Sequence, residues 1–211
     1  MGRHLLLLPD AGASWPLLPE RWSQAFPDGL VCDWAGLQQA VATGDTAWVP
    51  VTRDDWLSRM VALLRACPGC HVVVLSAAPG ETEGLHALEA GARGYCHLLA
   101  VPTLLCEVAQ VVGLGGIWVG PELLQRLVAA TRGLVQQGMT PPAGSIDLSV
   151  LSERESQVAR AVARGRTNRE VAEQLHISER TVKAHLGSVF EKLGVRDRVQ
   201  LVLQLAQVQL D

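Results

Sequence analysis

Lysine is almost absent from this chain. The 211 residues contain only Lys183 and Lys192, both near the C-terminal end. No site built from residues upstream of Lys183 can therefore use an ammonium group to stabilise negative charge. Long apolar runs are missing as well. The run Leu5–Leu8 stops at Pro9, which makes it too short for a signal-peptide core or a membrane span, and we expect a cytoplasmic protein without a membrane partner.

Charge is sparse and unevenly distributed. Charged residues make up 18% of the chain and apolar residues 48%, which is typical of a well-packed soluble protein of one or two domains. Residues 148–211 carry a net charge of +2, whereas residues 1–147 carry −5. This difference locates a nucleic-acid surface in the C-terminal part, although +2 is modest for binding phosphates. Five cysteines, an odd number scattered through apolar segments, indicate reduced thiols.

The first 113 residues alternate short apolar runs with helical patterns. The runs cover residues 4–8, 29–34, 47–51, 71–77 and 94–99, and the helical patterns cover about 17–26, 35–42, 54–66, 80–91 and 101–113. Five strands alternating with five helices predict an α/β domain with a parallel sheet covered on both faces.

The segment after this domain reads as a connection. Residues 115–120 lead into a helix at 121–137 with Pro121 in its first turn, and residues 138–145 have the Gly, Pro and Ser content of a linker. We therefore predict a first domain at 1–120, a connecting helix and linker at 121–147, and a second domain at 148–211.

The segment TNREVAEQLHISERTV, residues 167–182, predicts two helices joined by a tight turn at residues 176–178. Thr167 and Glu170 form a capping box for the first helix, and Ser178 caps the second. One inner face comprises Val171, Ala172, Leu175, Ile177 and Val182. The second helix then turns its polar and small residues outward, as a helix in the DNA major groove requires.

This segment lies within a longer stretch that resembles the four-helix DNA-binding domain of the LuxR/FixJ/NarL regulators. The resemblance rests on LSERE at residues 151–155, Gly165, TNREVA, ISERTVKAH and KLGVRDR. It implies that Lys183, Ala184 and Gly187 face base edges, where Gly187 departs from the longer polar side chain often found there. It also implies phosphate contacts by Thr167, Asn168, Ser178, Arg180, Thr181, His185 and Lys192. The resemblance further implies that the last helix takes part in dimerisation through part of an apolar stripe, which consists of Val199, Val202, Leu203 and Ala206.

Each of these residues also has a plainer interpretation. An exposed Arg or Lys is usually a solvated charge, and His185 is equally consistent with an ordinary helix residue. Gly187 in mid-helix costs roughly 1 kcal/mol of helix propensity. The apolar stripe on the last helix is equally consistent with the core of the domain.

The segment from Val72 to Leu99 resembles the fourth and fifth strands of a response-regulator receiver, a flavodoxin-like (βα)5 fold. A receiver requires an acidic pair, a phospho-acceptor aspartate, a Ser or Thr, and a lysine. In this chain the position of the acidic pair holds Pro9 and Asp10, and the position of the phospho-acceptor holds Pro50. The position of the Ser or Thr holds Ser76, and the position of the lysine holds Leu98. We therefore expect no phosphorylation, no metal and no cofactor. Asp54 and Asp55 are better explained as the start of a helix.

Two further motifs suggest sensing. Cys67-Pro-Gly-Cys70 before His71 has the spacing of a redox or zinc motif, but it lacks a second pair of ligands and suits a loop. Trp56-Leu-Ser-Arg59 resembles a signature by which some relatives bind cyclic di-GMP, but here it falls in the third helix, where a Trp is more often core.

The sequence thus predicts a DNA-binding transcription regulator without enzyme chemistry. Its partners would be double-stranded DNA, a second copy of the chain in a homodimer, and possible unknown ligands or proteins that control a degenerate receiver. Two alternatives remain. One is a partner-docking protein with weak DNA binding, and the other is a regulator that senses cyclic di-GMP or redox state.

Overall fold

The computed structural model describes residues 2–8, 17–52, 55–127 and 148–208. The chain divides into two compact units, Met1–Val119 and Gly120–Asp211. Among the described helices, none has the length and apolar character needed to cross a membrane.

The first unit is a six-stranded parallel sheet with helices. The strands are β1 (His4–Leu7), β2 (Leu30–Cys32), β3 (Thr46–Pro50), β4 (His71–Ser76), β5 (Gly94–His97) and β6 (Trp118–Val119). The helices are α1 (Leu17–Ala25), α2 (Trp34–Ala40), α3 (Trp56–Ala66), α4 (Glu81–Glu89) and α5 (Pro102–Gly113). The strand order β2-β1-β3-β4-β5-β6 contains the flavodoxin-like order 2-1-3-4-5, which confirms the predicted fold class.

The sheet is buried on both faces because successive strand residues point to opposite sides. On one side, Leu6 and Val73 pack against Trp22 of α1 and Leu105 of α5. Their strand neighbours are also buried: Leu5, Val72 and Val74 are each 0% exposed. Helices must therefore cover both faces, which explains why the strands are continuous apolar runs rather than alternating ones.

The sixth strand corrects the expectation that residues 115–120 only lead into a helix. β6 pairs in parallel with β5 through Gly94 with Trp118 and Tyr95 with Val119. Gly115 precedes it with φ +80° in a turn. Two residues carry no periodicity, so β6 is defined by its neighbour in the sheet and not by a local pattern.

The second unit is helical. Its elements are α6 (described part 121–127), a 3-10 turn (Leu148–Val150), α7 (Glu153–Ala163), α8 (Asn168–Leu175), α9 (Glu179–Leu193) and α10 (Arg198–Val208). These last four helices match the predicted four-helix domain. The rest of the helix predicted at 121–137, and the linker predicted at 138–145, lie outside the described residues.

Candidate nucleic-acid interface

The start of α8 is held by the capping box that the sequence predicts. Thr167 Oγ1 accepts a hydrogen bond from the Glu170 backbone N at 3.3 Å, and Glu170 Oε2 accepts one from the Thr167 backbone N at 2.6 Å. The bonds from Thr167 lower the pKa of Glu170. Thr167 Oγ1 also donates to Glu170 Oε2 at 2.9 Å, so the only hydroxyl hydrogen of Thr167 already has an acceptor within the domain.

The turn between α8 and α9 is made by a residue in the left-handed region. His176 has φ +53° and is the one non-glycine residue with positive φ in the part of the chain that the structure describes. It ends α8, and the backbone N of Ile177 donates to Ala172 O at 3.0 Å across the turn. Ser178 then caps α9, accepting from Thr181 N at 3.1 Å. The predicted helix-turn-helix is therefore confirmed with its caps.

The inner face of this pair is mostly as predicted. Val171 and Val182 are 0% exposed and Ala172 is 5% exposed, so α8 and α9 meet through a small and two branched side chains. Leu175 and Ile177 are only half-buried. This packing holds α9 by one side and leaves its other side facing outward.

The outward side of α9 is exposed and carries little bulk. Lys183, Ala184 and Gly187 are all exposed, and a Cβ built on Gly187 would meet no atom within 4 Å. Packing therefore gives no reason for a glycine there. Ser188 Oγ donates back to Ala184 O at 3.4 Å within the helix. The exposed side of α9 therefore has only small groups at Ala184 and Gly187, and Lys183 is the long polar side chain beside them.

The expected phosphate-contacting residues at the start of α9 share one hydrogen bond. Ser178 Oγ and Thr181 Oγ1 lie 2.8 Å apart, and either can be the donor. Two hydroxyls contain two hydrogens and this bond uses one, so the pair retains one hydroxyl hydrogen for an outside acceptor. Arg180 is exposed between them, and His185 is half-buried one turn further on.

Lys192 has an acceptor inside the domain. Its Nζ donates to Glu155 Oε2 at 2.7 Å, and Glu155 also accepts from the Ser152 backbone N at 2.7 Å. The Lys192 bond, followed by that of Ser152, lowers the pKa of Glu155 to about 2. The ion pair joins the start of α7 to the end of α9. It competes with the phosphate contact that the sequence implied for Lys192.

Asn168 is held by a residue that the sequence did not single out. Arg198, the first residue of α10, donates from Nη1 to Asn168 Oδ1 at 3.1 Å and from Nη2 to the carbonyl of Arg166. The two side chains lie 30 residues apart in the chain. No local spacing reveals such a pair, although KLGVRDR marks where α10 begins.

The stripe implied in dimerisation lies partly in the core. Val199 is 8% and Val202 1% exposed, which favours the core interpretation for these two residues. Leu203 is 36% exposed, while the side chain of Ala206 lies outside the described residues. The dimer contact therefore stays a prediction for Leu203 and Ala206.

Three of the positions that the sequence analysis compared with a receiver site lie at the carboxyl edge of the sheet in the first unit. Pro50 ends β3, Ser76 ends β4 and Leu98 follows β5. Ser76 and Leu98 are 2% and 3% exposed. Asp10 and Asp54 lie outside the described residues. Asp55 directly precedes α3, and its Oδ2 accepts from Arg59 Nε at 3.0 Å.

A shallow crevice lies beside Pro50 and contains about 260 Å³ of space, much of it open to solvent. It is lined by Leu7, Leu8, Val49, Pro50, Thr52, Asp55, Trp56 and Arg59. The guanidinium of Arg59 lies 5.6 Å from the ring of Trp34, so within the motif Trp56-Leu-Ser-Arg59 the arginine stacks on a different tryptophan.

Cys67 and Cys70 are free thiols. Burial, followed by the neighbouring Cys67, raises the pKa of Cys70 to about 12. A thiolate is the form that reacts and binds metals, so this environment opposes both roles. Among the described residues, no group of three or more His, Cys, Asp or Glu side chains is arranged to hold a metal ion.

Comparison with known proteins agrees with this geometry. The model for bacterial regulatory proteins of the LuxR family (GerE) matches residues 149–205. The transcriptional regulatory protein DegU of Brevibacillus brevis is 32% identical over 164 residues, covering 74% of this chain and 66% of DegU. The nitrate/nitrite response regulator protein NarP of Escherichia coli K12 is 30% identical over 151 residues, covering 72% of this chain and 66% of NarP.

Among solved structures, RcsB from Salmonella enterica serovar Typhimurium bound to promoter P1flhDC is 18% identical, with a TM-score of 0.46. That match covers 99% of this chain and 100% of RcsB. The chain is similar to response regulators that carry a LuxR-type DNA-binding domain, and its match to the LuxR family falls on residues 149–205. It spans 66% of the length of both DegU and NarP, just under two thirds.

Proposed function

We propose that this chain is a transcription regulator that binds double-stranded DNA by placing α9 in the major groove. The observation that carries the proposal is the helix-turn-helix itself: α8 and α9 are both capped, meet through Val171 and Val182, and leave Lys183, Ala184 and Gly187 exposed on one side. Such a pair presents its second helix to base edges.

The charge of the domain suggests how binding is strengthened. A net charge of +2 on residues 148–211 is small beside the several phosphates that a DNA-binding protein usually contacts. A homodimer would double both the charge and the number of recognition helices, and exposed Leu203 is the candidate contact on α10. We therefore propose binding as a dimer to paired half-sites.

The first unit, in this proposal, controls the second without phosphorylation. Proline at position 50 has no nucleophilic atom, and leucine at position 98 has no charge to stabilise a phosphoryl group. The described acid close to this edge, Asp55, is in an ion pair with Arg59. Control must then come from an interaction that differs between two states, such as a ligand, a partner protein or constitutive dimerisation.

The test is fluorescence anisotropy with duplexes from the region upstream of the coding sequence and with random duplexes, each across a range of salt concentrations. The proposal expects tighter binding to at least one upstream duplex and affinity that falls steeply with salt. Arg180→Ala should weaken binding to all duplexes, whereas Arg160→Ala, which changes an exposed arginine on α7, serves as the matched control. Equal and weak binding to every duplex would instead favour the partner-docking alternative.

A further inference from the structure

The contact between Arg198 and Asn168 fixes which way the asparagine amide faces. A guanidinium has only donors, so the Asn168 atom that meets Arg198 Nη1 at 3.1 Å must be the carbonyl oxygen Oδ1. The amide nitrogen Nδ2 of Asn168 is then turned away from Arg198. Asn168 is half-buried, and among the described residues Nδ2 makes no hydrogen bond and is not one of the buried atoms without a partner, so it reaches the surface of the domain.

Arg198 is well placed to hold this orientation. Its second nitrogen donates to the carbonyl of Arg166, just before α8, so the guanidinium bridges the backbone and the side chain at the same helix start. Burial lowers the pKa of Arg198 to about 10, with the Glu170 carboxylate acting in the opposite direction. Arg198 therefore remains charged near neutral pH and cannot accept a hydrogen bond that would let the amide flip.

Asn168 is the first residue of α8, where backbone N–H groups and the helix dipole also favour an anion. The hydroxyl hydrogen of Thr167 is used by Glu170, so of the neighbours Thr167 and Asn168 it is the Asn168 amide that keeps a side-chain donor. An amide with its oxygen outward would repel a phosphate, and one with its nitrogen outward donates to it.

We propose that Arg198 is a positioning residue for DNA binding: it holds Asn168 with its amide N–H groups outward, where they donate to a backbone phosphate of DNA. This inference rests on the proposed DNA-binding function. It assigns DNA affinity to a residue of α10 that itself makes no contact with DNA.

The experiment is a double-mutant cycle on the full chain with Asn168→Ala, Arg198→Ala and the double variant. DNA affinity is measured by anisotropy and folding by thermal melting. Each single change should weaken binding about tenfold, the size expected for a hydrogen bond to a charged acceptor, and the double variant should bind no worse than the weaker single variant. Effects that multiply, or an Arg198→Ala protein that melts earlier but binds DNA normally, would overturn the proposal.

The substitution Asn168→Asp provides a second test, in which the hydrogen bond between residue 168 and Arg198 is kept. Aspartate keeps an acceptor for Arg198, so the melting temperature should be retained, but it presents an oxygen in place of the amide donors and should reduce affinity at least about tenfold. Unchanged affinity would contradict the proposal.

If Arg198→Ala does not fold, Arg198→Lys replaces it in the cycle. A wild-type protein that binds no duplex would refute the proposed function itself, whereas DNA binding without coupling refutes only this inference.

Discussion

The two units of this chain differ in the side chains at the edge or helix start where a functional site is expected. In the first unit the carboxylate of Asp45 is 4% exposed directly before β3, where it accepts from Arg3 and Ala42. The opposite edge, where a receiver would hold its reactive groups, ends in Pro50 and Leu98. In the second unit the starts of α7, α8 and α9 are each capped by a polar side chain, namely Ser152, Thr167 and Ser178.

The sheet and the helix-turn-helix differ in what their folding requires of polar side chains. The parallel sheet needs only its apolar strands and its strand order, so it forms with Pro50 and Leu98 at its carboxyl edge. The helix-turn-helix has no comparable freedom, because the caps that start α8 and α9 are made by the same residues that lie beside the proposed DNA surface. The following substitutions test that contrast.

The largest effect is expected from Val182→Asp. Val182 is 0% exposed between α8 and α9, and burying an unpaired carboxylate there costs several kcal/mol. We expect the second unit to unfold and all DNA binding to be lost, while the first unit retains its own melting transition. Val150→Asp, at a position 46% exposed in the same unit, is the matched control and should bind normally. Loss of both transitions in Val182→Asp would show that the units do not fold independently.

Lys183→Ala should have the next largest effect. It removes the long polar side chain from the exposed face of α9, and a base contact is worth about 1–3 kcal/mol. We expect the ratio of specific to random affinity to fall while the protein remains folded. Competition anisotropy with both duplexes measures this ratio. An unchanged ratio would mean that Lys183 contacts only phosphate or that DNA shape provides the specificity.

The contacts of the second unit differ in how far the sequence alone predicts them. The caps at Thr167 and Ser178 lie three residues from the partners they bind, so the helix-turn-helix is visible in a local pattern. The pairs Arg198 with Asn168 and Lys192 with Glu155 span 30 and 37 residues, and only the packed domain brings them together. β6 likewise takes its conformation from β5, so no local pattern predicts it.

Lys192→Ala should have a smaller effect on DNA binding than the sequence implied. A free phosphate-contacting lysine would reduce the salt slope by about one, with equal weakening at all sites. Because the ammonium of Lys192 is bonded to Glu155 at 2.7 Å, we expect a smaller change in slope together with a lower melting temperature. A slope change of a full unit without loss of stability would show that the lysine leaves Glu155 to meet DNA.

The same ion pair predicts a pH dependence of stability. The pKa of Glu155 is lowered in the folded state to about 2 from its ordinary value of 4.5, so its stabilising contribution is complete above about pH 4.5 and is lost as the pH falls from there towards 2. Glu155→Gln should flatten this part of the stability curve, measured by urea unfolding across that range. An equally steep curve in Glu155→Gln would assign the dependence to other carboxylates.

The most direct measurement titrates an upstream duplex with the full chain after incubation with acetyl phosphate and magnesium, and in parallel with buffer alone. We expect specific binding in both cases, the same dissociation constant and no acid-labile phosphate on the protein. Incorporation of phosphate on Asp10, Asp54 or Asp55 together with a changed affinity would contradict it.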